Sequence, residues 1–254
     1  MQLKKPFVIL VPKSFDEDLK YYLKLKPPPF KYHVEYFYFV FNKIVRLKII
    51  FKKKEFISFN LKSLKSNTVS NILRYIKYME NNEFIISNNS YYPGAKSKGY
   101  KINSKYLGSD IIKHEISINS KLFLAIERKQ RLDKANYNRL EPHIYDMLGK
   151  FKKLELNYHR AYEWINKNIA HDKTLFYQQA LSNFEDHRMR YFKRSKTNNR
   201  LNTNLTSLSS SLRQFIIGDD LVSIDLKNSQ PFLLSIFIKY IINYKNINKI
   251  KKKK

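Results

Sequence analysis

The chain has 254 residues, of which 43% are apolar and 15% aromatic, enough to bury a substantial core. Its 49 Lys and Arg residues against 21 Asp and Glu give a formal net charge of +28, which favours a polyanionic partner such as nucleic acid, although an AT-rich coding sequence would also enrich lysine. The lack of cysteine excludes disulfides and thiolate metal sites, and the short N-terminal apolar run, broken by Pro12, predicts a cytoplasmic protein without a membrane partner.

Residues 1–58 form an N-terminal segment whose structure the sequence leaves open. The stretch LKPPPF at 25–30 predicts a rigid connector. The aromatic stretch 31–56 is compatible with one helix or with a pair of strands, since its apolar residues fit both periods.

The segment 59–107 has a clearer pattern of one helix followed by two strands. Ser66, Asn67 and Thr68 form a helix start. After them, Val69, Ile72, Leu73 and Ile76 define an apolar helix face, while Asn71, Arg74, Lys77 and Tyr78 lie largely elsewhere. We predict strands at 83–87 and 99–103, joined by a loop at 88–98.

This order of helix, strand, basic loop and strand resembles a winged helix. Such a helix can enter the major groove, with Asn71, Arg74 and Lys77 offered to the DNA. Lys96, Lys98 and Lys101 on the wing would neutralise phosphates. The alternative is a helix and hairpin that serve only as a scaffold, with lysines that are merely solvated.

From 110 to 185 the pattern is helical, and Pro142 is placed where a helix can begin. A basic, aromatic stretch follows at 187–200, and cations beside rings are typical of nucleic-acid contacts. Its predicted nucleic-acid-binding residues are Arg188, Arg190, Lys193, Arg194 and Arg200. A solvated strand edge protected by charge explains the same stretch equally well.

The stretch RLNTNLTSLSSSLRQFIIGDDLVSIDLKNSQPFLLSIF at 200–237 carries the strongest chemical signal, an apolar strand that ends in Asp225. It resembles motif A of family A DNA polymerases, and also phage and mobile-element proteins. The resemblance implies that Asp225 is the catalytic carboxylate and the Mg²⁺ ligand. It also implies that Arg200 and Arg213 hold template or triphosphate phosphates. The stretch Asn228, Ser229 and Gln230 would bind the nucleotide.

The motif also departs from that family, because no alignment of 227–232 restores both its Ser-Gln pair and its sugar-gating acid. The 29 residues beyond Asp225 hold no counterpart of the fingers helix or of the second palm carboxylate. We therefore expect an incomplete palm that is not competent alone, that uses Mg²⁺ only if the site is functional, and that a second polypeptide could complete.

The sequence as a whole predicts a mostly helical α+β protein with a winged-helix-like N-terminal part, a helical middle and a partial palm-like strand and helix, the last two spanning 110–254. The predicted function is nucleic-acid binding in phage or mobile-element replication, with DNA favoured over RNA. The alternatives are a non-catalytic initiator or transcriptional regulator and a binder of anionic surfaces.

Overall fold

The structure is a computed structural model that describes residues 5–52, 54–58, 71–88, 97–135, 137, 140–195, 200–218 and 236–239. The chain divides into two compact units, Met1–Ile217 and Gly218–Lys254. In the second unit, residues 236–239 are helical. All of the following description concerns the first unit.

The first unit begins with a strand and two helices. Strand β1, Phe7–Pro12, leads directly into helix α1, Lys13–Leu25, and helix α2, Val34–Ile50, follows. The aromatic stretch is therefore one helix rather than a pair of strands. Its buried residues include Phe37, Phe41 and Ile44, whose spacing of three to four residues places them on one helical face.

The next elements are a helix and a small antiparallel sheet. Strand β2 is Ile57–Ser58, helix α3 is Ile72–Asn81, and strands β3 and β4 are Ile85–Ser87 and Gly99–Ile102. The strand order is β2-β4-β3, and both pairs are antiparallel. The predicted strands at 83–87 and 99–103 are confirmed, with β4 paired to neighbours on both sides.

Strand β5, Ile111–Ile116, corrects the prediction that residues 110–185 are helical throughout. It pairs antiparallel with β1, so that Phe7 lies opposite Ile116 and Pro12 opposite Ile111. The β-branched isoleucines at 111, 112 and 116 favour a strand locally, and the long-range pairing with β1 fixes it. The pairing also joins the first residues of the chain to those beyond 110, and the predicted divisions at 58 and at 107–110 fall inside the first unit.

The remainder of 110–185 is mostly helical. Helix α4 is Lys121–Ala135, helix α5 is Pro142–Lys153, helix α6 is Tyr158–Asn168 and helix α7 is His171–Glu185. Pro142 occupies the first turn of α5, which confirms the predicted helix start. The described residues thus form a mostly helical α+β fold.

Short elements complete the first unit. They are β6 (Glu155–Leu156), β7 (Phe192–Arg194), β8 (Leu201–Thr203), α8 (Asn204–Ser207), α9 (Ser210–Arg213) and β9 (Ile216–Ile217). Strand β6 pairs with β9 and β7 with β8, in both cases antiparallel. Within the described residues, none of the helices combines the length and apolar character needed to cross a membrane.

Helix α7 contributes to two hydrophobic cores. Leu175 packs in the core built from β1, α1, α2 and α3, whereas Leu181 and Phe184 pack in the core of α5 and α6. Between them, the buried Gln179 accepts hydrogen bonds from the Leu10 amide and the Asn42 side chain. One helix is thereby fixed to both halves of the first unit.

Candidate nucleic-acid interface

The outer face of α3 presents three polar side chains to solvent. Asn71, Arg74 and Lys77 are exposed, as the helical periodicity predicts, while the opposite face is buried. Within the described part of the chain, neither Arg74 nor Lys77 makes a side-chain hydrogen bond or ion pair, although the charge of Lys77 helps to lower the pKa of Glu80. Their charges are therefore available to a ligand.

Tyr78 differs from its predicted place on the polar side of this helix. It is 8% exposed, and its hydroxyl donates a hydrogen bond of 2.8 Å to the carbonyl of Lys26. The apolar face of α3 is broader than the sequence pattern indicated, because the connector after α1 covers that flank of the helix. The exposed row is thus limited to Asn71, Arg74 and Lys77.

The two described lysines of the predicted wing are paired with acids. Lys98 Nζ lies 2.5 Å from Glu80 Oε1, and Lys101 Nζ lies 2.6 Å from Glu55 Oε1. Burial opposes the charge of Glu80, but hydrogen bonds from Lys98 and Ser87 hold the pKa of that carboxyl below its usual value. Both lysines are only partly exposed and paired with a carboxylate. Each would therefore have to break its ion pair in order to bind a phosphate. Lys96 lies outside the described residues.

Arg188 is engaged within the protein. Its guanidinium forms a fork on the Asp186 carboxylate, with donor–acceptor distances of 2.9 and 2.7 Å. It also donates to the carbonyls of Lys5 and Pro6 and lies over the ring of Phe7 at 4.4 Å. The side chain ties the first described residues to the end of α7.

Arg190 is a core residue with 7% exposure. Its guanidinium donates to the carbonyls of Phe184 at 2.7 Å and Lys152 at 3.0 Å, and to the Tyr158 hydroxyl at 3.2 Å. The cation also lies 4.3 Å from the centre of the Phe184 ring. These contacts leave no accessible donor for a phosphate, so we do not include Arg190 in the proposed interface.

The other predicted cations of this stretch lie on or near the β7–β8 hairpin. Lys193 is exposed, Arg194 donates to Glu141 at 2.8 Å, and Arg200 is exposed immediately before β8. Arg213 is exposed on α9 and donates to the Leu208 carbonyl at 3.1 Å. A charged two-stranded hairpin is compatible with either interpretation of 187–200, phosphate binding or a protected strand edge.

The predicted palm-like residues are not among those that the structure describes. Asp225, Asn228, Ser229 and Gln230 all lie outside the described residues. Among the residues that are described, no cluster of three or more His, Asp or Glu side chains could hold a metal ion. The Mg²⁺ site therefore stays a prediction.

The structure also contains a cationic cavity that the sequence interpretation missed. It has a volume of about 330 Å³ and lies between α2, α4, β1 and residues 188–191. Lys43 and Arg46 from α2 line one side, and Lys129 and Lys134 from α4 line the other. The signal in the sequence was the set of three cations, Lys43, Arg46 and Lys48, inside the mostly apolar stretch FYFVFNKIVRLKII.

Burial lowers the pKa values of both cations on α2. It lowers the pKa of Lys43 to about 7, with additional repulsion from Arg46 and Lys129. Burial also lowers the pKa of the Arg46 guanidinium. Each side chain would bind an anion more favourably than a solvated lysine or arginine, because part of its hydration is already lost.

Known proteins supply no identification for this arrangement. No protein family, curated protein or solved structure matches the chain. The functional conclusion therefore depends on the chemistry of the residues themselves.

Proposed function

We propose that this chain is a nucleic-acid-binding protein of phage or mobile-element replication that contacts DNA through the outer face of α3. The observation that carries the proposal is the exposed row of Asn71, Arg74 and Lys77, whose two cations make no hydrogen bond or ion pair with another described residue. A net charge of +28 supplies the long-range attraction.

The dimensions of the helix support this mode of binding. An α-helix with its side chains is about 10–12 Å across, and the major groove is about 12 Å wide. Asparagine and arginine form paired hydrogen bonds with adenine and guanine edges, respectively. Strands β3 and β4 follow α3 in the chain, which is the element order of a winged helix and supports the proposal that lysines near these strands contact the DNA backbone.

The first test is the double variant Arg74→Gln/Lys77→Gln. We expect its affinity for duplex DNA to fall by roughly tenfold or more, because two cations no longer neutralise phosphates or contact base edges. The slope of log K against log salt should become shallower by about 1 for each phosphate that the protein no longer neutralises. Fluorescence anisotropy with a labelled duplex over a range of salt concentrations measures both quantities.

The matched control is Arg160→Gln/Lys167→Gln, which removes the same two charges from exposed positions on α6. It should bind DNA nearly as well as the wild type. Equal reductions in the two double variants would contradict a specific role of α3 and indicate a diffuse cationic surface. Equal affinity for duplexes and for anionic vesicles would instead favour the binder of anionic surfaces.

The motif around Asp225 supports a second candidate, a nucleotidyltransferase palm. A carboxylate at the end of a strand is a suitable ligand for Mg²⁺, which in such sites bridges the reacting phosphates. The competing non-catalytic initiator or regulator assigns Asp225, Asn228 and Gln230 to local hydrogen bonding only. The two candidates differ in whether Asp225 binds a metal.

Titration with Mn²⁺ distinguishes these candidates. A functional palm site is expected to bind Mn²⁺ stoichiometrically in the wild type and to lose that binding in Asp225→Asn, because the amide carries no charge. Electron paramagnetic resonance of unbound Mn²⁺ measures the stoichiometry. Asp172→Asn is the control, since that carboxylate is exposed on α7. Identical Mn²⁺ titrations of the wild type and Asp225→Asn would contradict a metal site at Asp225 and support the non-catalytic candidate.

A further inference from the structure

We propose that the cavity between α2 and α4 is a binding site for a small phosphate-bearing ligand, with Lys43 and Arg46 as its principal contacts. This site is separate from the α3 face. Its ligand class is an oligophosphate, either free as pyrophosphate or as the phosphate chain of a nucleotide.

The decisive observation is a contrast between neighbouring arginines. Arg188 and Arg190, which also line the cavity, each use the guanidinium on carboxylate or carbonyl oxygens. Among the described residues, by contrast, nothing forms a hydrogen bond or ion pair with the side chain of Lys43 or Arg46. Asp133 attracts Lys43 and Asp186 attracts Arg46, but neither acid forms an ion pair with its cation. Desolvation of a cation that lacks a hydrogen-bonded partner costs free energy, and an anion bound in the cavity would offset that cost.

The charges around the cavity favour more than one phosphate group. Lys129 and Lys134 face the α2 cations from α4, and Asp133 is the single acid among the described residues that line the cavity. The lining therefore has an excess of positive charge on two opposing helices. Arginine binds phosphate through paired donors and lysine as a point charge, and both modes are available here.

The size of the cavity indicates a small molecule rather than a duplex. A volume of about 330 Å³ lies at the lower end of the range for small-molecule sites. A duplex, with a major groove that is itself about 12 Å wide, cannot enter it. The side chains of Phe39 and Tyr137 also line the cavity and could contact an apolar ring attached to the phosphates.

Binding should depend on pH through Lys43. Its pKa is about 7, lowered by burial first and then by Arg46 and Lys129, against the attraction of Asp133. The other titratable or charged groups that line the cavity are Lys134, Tyr137, Arg188, Arg190 and Tyr191. An anion prefers the protonated amine, so affinity should fall as the pH rises through that pKa, while the Arg46 contribution persists.

The test is isothermal titration calorimetry with pyrophosphate, and in a second arm with ATP. The wild type should bind pyrophosphate, and Lys43→Gln/Arg46→Gln should bind it at least about tenfold more weakly. Arg160→Gln/Lys167→Gln removes the same charge elsewhere and should bind pyrophosphate like the wild type. Tighter binding of ATP than of pyrophosphate identifies a nucleotide as the source of the phosphates, and equal binding identifies the oligophosphate alone.

Thermal unfolding provides the second measurement. Without ligand, Lys43→Gln/Arg46→Gln should melt no lower than the wild type, because it no longer carries two partly buried charges that form no ion pair. Pyrophosphate should raise the melting temperature of the wild type and not that of this variant. The Arg74→Gln/Lys77→Gln variant should keep its pyrophosphate affinity, so that failure of the DNA proposal and failure of this one are distinguishable.

Three results would overturn the proposal. One is the absence of pyrophosphate binding to the wild type at millimolar concentration. Another is equal binding by the wild type and Lys43→Gln/Arg46→Gln. The third is a decrease in duplex affinity in that variant that matches its decrease in pyrophosphate affinity, which would assign the two cations to the nucleic-acid surface instead.

Discussion

Replacing Arg190 with methionine is expected to destabilise the protein by about 3 kcal/mol or more, because the carbonyls of Phe184 and Lys152 lose a charged donor inside the core. Methionine retains an unbranched stem of similar length, so the interactions that disappear are mainly polar. For a chain of this size, the destabilisation corresponds to a fall in melting temperature of roughly 10 °C. Differential scanning calorimetry measures it directly.

Arg160→Met is the matched control for this change. Arg160 is exposed on α6, and its replacement should alter the free energy of unfolding by less than about 0.5 kcal/mol. An Arg190→Met protein as stable as the wild type would show that the guanidinium contacts contribute little. Reduced duplex affinity in a fully folded Arg190→Met protein would return this residue to the proposed interface.

Replacing Phe15 with alanine is expected to have a comparable or larger effect, a destabilisation of about 3–5 kcal/mol. Phe15 is fully buried on α1, with its ring 4.1 Å from the ring of Phe41 and in edge contact with those of Phe84 and Tyr106. Alanine leaves a cavity at the centre of the first core, and it removes these ring interactions as well. Urea unfolding followed by tryptophan fluorescence and circular dichroism measures the change.

Two further variants keep this prediction testable if Phe15→Ala does not fold. Phe15→Leu keeps most of the side-chain volume and should be destabilised less than Phe15→Ala, while Phe51→Ala should be destabilised least, because Phe51 is 44% exposed. The order of the three variants is the result to be checked. Equal destabilisation of Phe15→Ala and Phe51→Ala would contradict the assignment of Phe15 to the core.

Local patterns predicted several parts of this structure correctly. The three-residue spacing of Asn71, Arg74 and Lys77 follows from the helical period, and all three side chains are exposed. Pro142 begins α5 because its fixed backbone angle and missing amide suit a first turn. In each case the residues involved are neighbours in sequence, which is where periodicity and propensity carry information.

Features that depend on distant residues were not predictable in this way. Strand β5 forms because β1, about a hundred residues earlier, pairs with it. Arg188 and Arg190 have the same charge whether they meet a phosphate or a carbonyl, so composition cannot show that Lys5 and Pro6 supply acceptors for Arg188 and that Lys152 supplies one for Arg190. Similarly, the cavity needs α4 opposite α2, and nothing local to Lys43 or Arg46 indicates that neighbour.

The position of α7 in both cores limits how this protein can be divided. Leu175 and Leu181 lie fewer than two helical turns apart, yet each closes a different hydrophobic interior. Neither half can be transplanted to another protein without this shared helix. Recombination within the first unit therefore cannot treat the halves as exchangeable modules, because each loses part of its hydrophobic core without this helix.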